Sequence, residues 1–93
     1  MLLIVSNYLK MTEEESLEDL KYLLGNMGIE ILIAIDRGAK DIETIKLFSG
    51  LSIACIKGRI PVLLDLKLIR ENNMQYFLEE KGIDFKKQLE PAL

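Results

Sequence analysis

Histidine and tryptophan are absent from this chain, cysteine occurs once and proline twice. Without histidine, the commonest transition-metal ligand and general base is missing, and no metal site is expected. With Cys55 as the only thiol, no intrachain disulfide can form, which fits a reducing, cytoplasmic setting. The apolar start, Met1 to Val5, is short, has no basic leader and gives way to Asn7, Lys10 and a run of glutamates. It is expected to be neither a signal peptide nor a membrane span. No G-x-G-x-x-G or G-K-[ST] fingerprint occurs, so no nucleotide cofactor is expected. A basic surplus is missing too: Lys+Arg number 12 against 15 Asp+Glu, a net charge of -3, with the two signs interspersed. Phosphate-tracking proteins usually carry a basic excess or stripe, so neither nucleic acid nor membrane is expected as a partner.

What is present suits one folded domain over residues 1–93. Hydrophobic residues make up 49% and charged residues 29%, enough for a core and for solubility. A chain this short buries only about 60 to 65% of the surface its unfolded form exposes, so self-association is expected to add stability.

Leu2 to Val5, continuing toward Tyr8, reads as a first strand, apolar and partly β-branched. Thr12 and Glu15 form a capping box, and Leu17, Leu20, Leu24 and Met27 give the following helix an apolar stripe that ends at Gly28. Ile29 to Ile35 is nearly all apolar and β-branched, and reads as a central strand. Asp41 caps a short helix that turns Ile42, Ile45 and Phe48 inward and closes at Gly50. Leu51 to Ile56 reads as a third strand. Ile60 to Ile69 fits an edge strand through Val62, Leu64, Leu66 and Leu68, and fits a helix with Pro61 as its first residue; the strand is preferred. After a break at Arg70 to Asn73, a helix carries Met74, Phe77 and Leu78 to Gly82, and Ile83 to Phe85 adds a short strand or turn. The predicted fold is therefore a three-layer, Rossmann-like α/β domain with a mostly parallel sheet of three or four strands, in βαβαβ(β)α order.

Parallel sheets bind ligands outside the carboxyl ends of their strands. That rule selects Asn7, Asp36, Arg37, Gly38, Lys40, Lys57 and Arg59 as ligand-binding candidates, with the cations facing a phosphate or carboxylate and Gly38 allowing close backbone approach. Solvated loop charges explain the same residues more simply. Asp36 is a candidate metal ligand or base, and equally a turn residue or the counter-ion of Arg37 or Lys40. The glutamates from Glu13 to Glu18 suit a helix amino terminus without further purpose.

Cys55, between Ala54 and Ile56, reads as a small core residue, or as a nucleophile whose only local activator is Lys57. With its short length, its apolar opening from Met1 to Ser6 and this cysteine near a central strand, the chain resembles the DsrE-like and TusB-like sulfur-relay proteins. The likeness covers the outline of roughly the first sixty residues and rests on no specific motif. It implies Cys55 as a sulfur carrier.

The leading expectation is a binding or assembly module, not an enzyme, that forms a homodimer through the 60–69 segment and holds a small anion at the strand ends. The alternative is an enzyme: a sulfur relay through Cys55, or metal-assisted phosphoryl transfer or hydrolysis through Asp36.

Overall fold

A computed structural model describes residues 16–89, and these are mostly helical. Helix α1 spans Leu17–Asp36, α2 spans Ile42–Ser49 and α3 spans Ile53–Asp65. A β-hairpin follows, β1 (Ile69–Asn72) and β2 (Gln75–Leu78), and α4 (Glu80–Leu89) closes the order. The only sheet among the described residues is this antiparallel pair, so the Rossmann-like parallel sheet is overturned. Met1 to Tyr8 and Thr12, with the first strand and the capping box predicted there, lie outside the described residues. No single described helix is long and apolar enough to cross a membrane.

Ser16 caps α1, its Oγ accepting the Asp19 amide at 3.1 Å. The backbone leaves helical geometry at Gly25 (φ 69°, ψ 175°), which only glycine adopts without strain, and then resumes through Asp36. Ile29 to Ile35 is thus the second arm of a helix and not a strand. Gly28, Ile31, Leu32 and Ile35 are buried together while Glu30 is exposed, which is the 3.6-residue period. Packing on α2, α3, α4 and β2 surrounds this arm with apolar partners, and that burial overrides the modest helix penalty of β-branched side chains. Gly38, at φ 113°, ends the helix: its amide bonds to the Ile35 carbonyl and that of Ala39 to Ala34, leaving Ala39 fully buried.

The short helix is where it was predicted. Asp41 Oδ1 accepts the Thr44 amide at 2.8 Å and its hydroxyl at 2.7 Å, and Gly50 closes the far end at φ 76°. Ile45 is buried, but Phe48 is 49% exposed and does not point inward as expected. Leu51 to Ile56 is not a strand, because Ser52 caps α3 by accepting the Cys55 amide at 3.1 Å. Most of the 60–69 segment is helical as well. Ile56, Ile60 and Leu63 bury at helical spacing, with Pro61 inside the helix on its exposed side. Lys67, at φ 64°, then terminates α3 with its own amide bonded to Leu64 and that of Leu68 to Leu63.

Ile69 pairs with Leu78 and Asn72 with Gln75, so a two-residue loop of Asn73 and Met74 joins the strands. Both loop residues have positive φ (53° and 63°), the hairpin turn whose twist matches the strands. The predicted helix over Met74 to Gly82 is therefore β2 followed by the start of α4, and Ile83 to Phe85 is helical, with Phe85 buried. Gly82 is buried where α4 crosses the end of α3: an added Cβ would strike the Leu68 carbonyl oxygen. One further backbone bond, from the Tyr76 amide to the Lys40 carbonyl at 2.7 Å, ties the α1–α2 link alongside β2.

Candidate nucleic-acid interface

Helices α2 and α3 are joined by Gly50, Leu51 and Ser52, and their axes turn by 107° across these three residues. Two helices near a right angle about a short glycine-containing turn make a helix-turn-helix. Each cap contributes to the corner. Gly50 supplies the left-handed residue that stops α2, and Ser52 supplies the oxygen that starts α3. Ile45, Ile56, Ile60 and Leu63 then pin both helices to the core laid down by α1.

Ala54, Lys57, Gly58, Pro61 and Asp65 remain exposed on α3. Their spacing of three, four, seven and eleven from Ala54 places them in one stripe along the outer side. Apart from Lys57 and Asp65 this stripe is low and nearly featureless. Gly58 is informative, because a Cβ there would meet nothing within 4 Å. Mid-helix glycine costs about 0.5–1 kcal/mol relative to alanine, and no packing among the described residues requires it.

Charge is unevenly divided along the chain. Between Arg37 and Arg70 lie seven lysines and arginines but three carboxylates (Asp41, Glu43 and Asp65), so this stretch carries +4 in a protein of net charge -3. The remaining residues accordingly carry -7. From Thr44 to Leu64 there is no acid at all, while Lys46, Lys57 and Arg59 are present. Most of that surplus comes from Arg37, Lys40, Lys67 and Arg70 in the flanking links and the hairpin, since α2 and α3 themselves hold three cations and two acids.

Of the residues selected from the sequence, Asn7 lies outside the described ones. Asp36 ends α1 and pairs with Lys86 at 3.2 Å, so its neighbour is a lysine of α4. Arg37 caps α1 through its own amide, and Gly38 is the left-handed residue after it. Lys40 places its ammonium 4.8 Å from the centre of the Phe77 ring. Asp36 and Lys40 line one cleft, whereas Lys57 and Arg59 stand on α3, Lys57 exposed and Arg59 half-buried. Cys55 is half-buried in the first turn of α3, and the strand expected to carry it is absent. Among the described residues no three histidine, cysteine or acidic side chains are placed to hold a metal ion.

Arg70 and Phe77 were not foreseen. Arg70 lies 5.1 Å from the Phe77 ring, donates to the Leu78 carbonyl at 3.2 Å and pairs with Glu79 at 3.7 Å. The strand register, unread in the sequence, brings them together, for Arg70 faces Phe77 directly across the hairpin. Two groups are electrostatically perturbed. The Thr44 hydroxyl and then the Thr44 amide hold the Asp41 carboxyl below its ordinary range. Burial, with Glu71 opposite, pushes the Tyr76 phenol up.

The chain matches no protein-family model and no curated protein sequence.

Proposed function

We propose that this protein is a DNA-binding module that lays the outer stripe of α3 in the major groove. The observation that carries the reading is the 107° corner between α2 and α3, which leaves one row of α3 facing outward while Ile56, Ile60 and Leu63 hold the same helix to the core. Three features support it. α2 and α3 carry Lys46, Lys57 and Arg59 against Glu43 and Asp65, a small positive balance that suits phosphate contact. Ala54, Gly58 and Pro61 keep the outer stripe low enough for close approach to base edges, and the Ala54 methyl suits contact with thymine. Lys57, in the middle of the stripe, can donate to guanine or to phosphate.

This reading replaces an expectation drawn from total charge, which is dominated by acids outside the helix pair. It keeps self-association. Two-fold DNA sites are read by paired modules, and Tyr22, Leu23 and Met27, exposed on either side of the Gly25 break, offer an apolar contact for a second copy. A sulfur relay or an Asp36-centred hydrolase has less support, since Cys55 stands on the presented helix and Asp36 in an ion pair.

Fluorescence anisotropy with a mixed-sequence duplex at about 150 mM salt tests the proposal, with sedimentation of the same samples giving the stoichiometry. Saturable binding is expected with a dissociation constant of roughly 10⁻⁴ to 10⁻⁶ M, weakening steeply with salt. Lys57→Glu should cost at least about tenfold, and Lys57→Ala should reduce the salt slope by about one. Lys87→Glu, at an exposed position of α4, should change affinity far less. No binding in this range, or equal losses for the Lys57 and Lys87 variants, would remove the proposal.

A further inference from the structure

A shallow cleft of about 250 Å³ lies where the end of α1 meets the hairpin, away from the outer stripe of α3. Its walls are Ile35, Leu78 and Ile83, with Phe77, Lys40 and Arg70 beside them and Asp36 at the margin. Ile83 remains 39% exposed here, on a helix that buries Phe85 and Leu89.

The charges around the cleft do not cancel. Asp36 is taken up by Lys86 at 3.2 Å, and Glu79 lies 3.7 Å from Arg70. Lys40 makes no ion pair among the described residues, and its ammonium rests on the Phe77 ring. An aromatic face attracts a cation but leaves its hydrogen-bond donors unsatisfied. Lys40 is also held in place from behind, because its carbonyl accepts the Tyr76 amide at 2.7 Å. Two cations against one ring, only Arg70 of them paired with a carboxylate, and apolar walls alongside form a receptor for one negative charge on an apolar body. The volume lies below the roughly 300 Å³ at which drug-sized pockets begin, so the matching ligand is small.

We propose that this cleft is a binding site for a small organic acid, its carboxylate on Lys40 and Arg70 and its apolar body against Ile83 and Leu78. The site shares no residue with the outer stripe of α3 and does not depend on DNA binding. An inorganic or nucleic-acid phosphate would share the anionic half of this chemistry, and Ile83 separates the two sources.

The test is a titration of the ¹⁵N-labelled full chain with benzoate, with benzamide as the neutral counterpart and inorganic phosphate as the anion without a body. Benzoate should give saturable shifts at the Lys40, Phe77 and Ile83 amides, with benzamide and phosphate each weaker by about tenfold. Lys40→Met should weaken benzoate by roughly tenfold, about 1.4 kcal/mol. Ile83→Ser should weaken benzoate and leave phosphate unchanged, and both variants should retain the native amide spectrum. Equal binding of benzamide would show that the charge is irrelevant and overturn the proposal. Phosphate binding as tight as benzoate, or no saturation by about 50 mM, well above the millimolar range of weak ligands, would do the same.

Discussion

Helices α1 and α3 are both rich in isoleucine and leucine, yet they do opposite things with their surfaces. The second arm of α1 buries Gly28, Ile31, Leu32, Ala34 and Ile35, and the neighbouring elements close around it. α3 buries one row, Ile56, Ile60 and Leu63, and leaves a second row facing outward. The difference teaches that apolar content locates the core but not the role. What separates a scaffold helix from a presented one is the set of residues left over: Tyr22, Leu23, Met27, Glu30 and Asp36 on α1, Ala54, Lys57, Gly58, Pro61 and Asp65 on α3. The α1 remainder suits a helix that meets solvent and the proposed second copy, and the low α3 remainder, with Lys57 as its one cation, suits the proposed approach to a polyanion.

The sharpest way to break this comparison is at Ile31, which is fully buried in α1. Ile31→Ala should cost about 3 kcal/mol of stability, read from the urea midpoint, because the space left behind closes only in part. DNA affinity of the folded fraction should stay within about twofold. Coupled losses would mean that α1 takes part in binding. A smaller effect is expected at Ser52, whose hydroxyl caps α3. Ser52→Ala should cost about 1 kcal/mol, and it should weaken DNA binding more than Ile31→Ala does, since the loss falls on the presented helix. Smallest is the acid response of the α2 cap. A carboxyl held below its ordinary range contributes stability that is complete above its unfolded pKa and lost as pH falls through its folded one. Lowering the pH from about 5 should therefore destabilise the wild type more than Asp41→Asn, since asparagine caps without titrating. Parallel urea midpoints for the two proteins would show that Asp41 does not contribute in this way.

Legibility followed the type of signal. Caps were readable: Asp41 and Gly50 bounded α2 correctly because a side-chain oxygen before an apolar run and a glycine after it act locally. Segments decided by tertiary packing were misread. Ile29 to Ile35 has strand-like composition, but Ile31, Leu32 and Ile35 recur at helical spacing, and burial on several sides removes the alternation that would have settled the matter. Leu51 to Ile56 hides a helix start at Ser52 inside a mostly apolar stretch. The hairpin had no Asn-Gly signal, because Met74 occupies a left-handed position more often given to glycine. Lys40, Lys57 and Arg59 were named as anion contacts on the premise of a common strand-end rim, and that rim does not exist among the described residues. The charge feature behind the proposed interface, the acid-free stretch from Thr44 to Leu64, is obscured by summing charge over all 93 residues.

Pro61 gives α3 a property that no side chain on its surface supplies. Having no N–H, it offers nothing to the Lys57 carbonyl one turn back, where an ordinary residue would donate. Midway along α3 one main-chain oxygen thus lacks its intrahelical donor and is left to accept from outside the helix, from hydration water or, under the proposed reading, from the exocyclic amine of a cytosine or adenine. If α3 enters the groove as proposed, its peptide skeleton as well as its side chains would then take part in recognition.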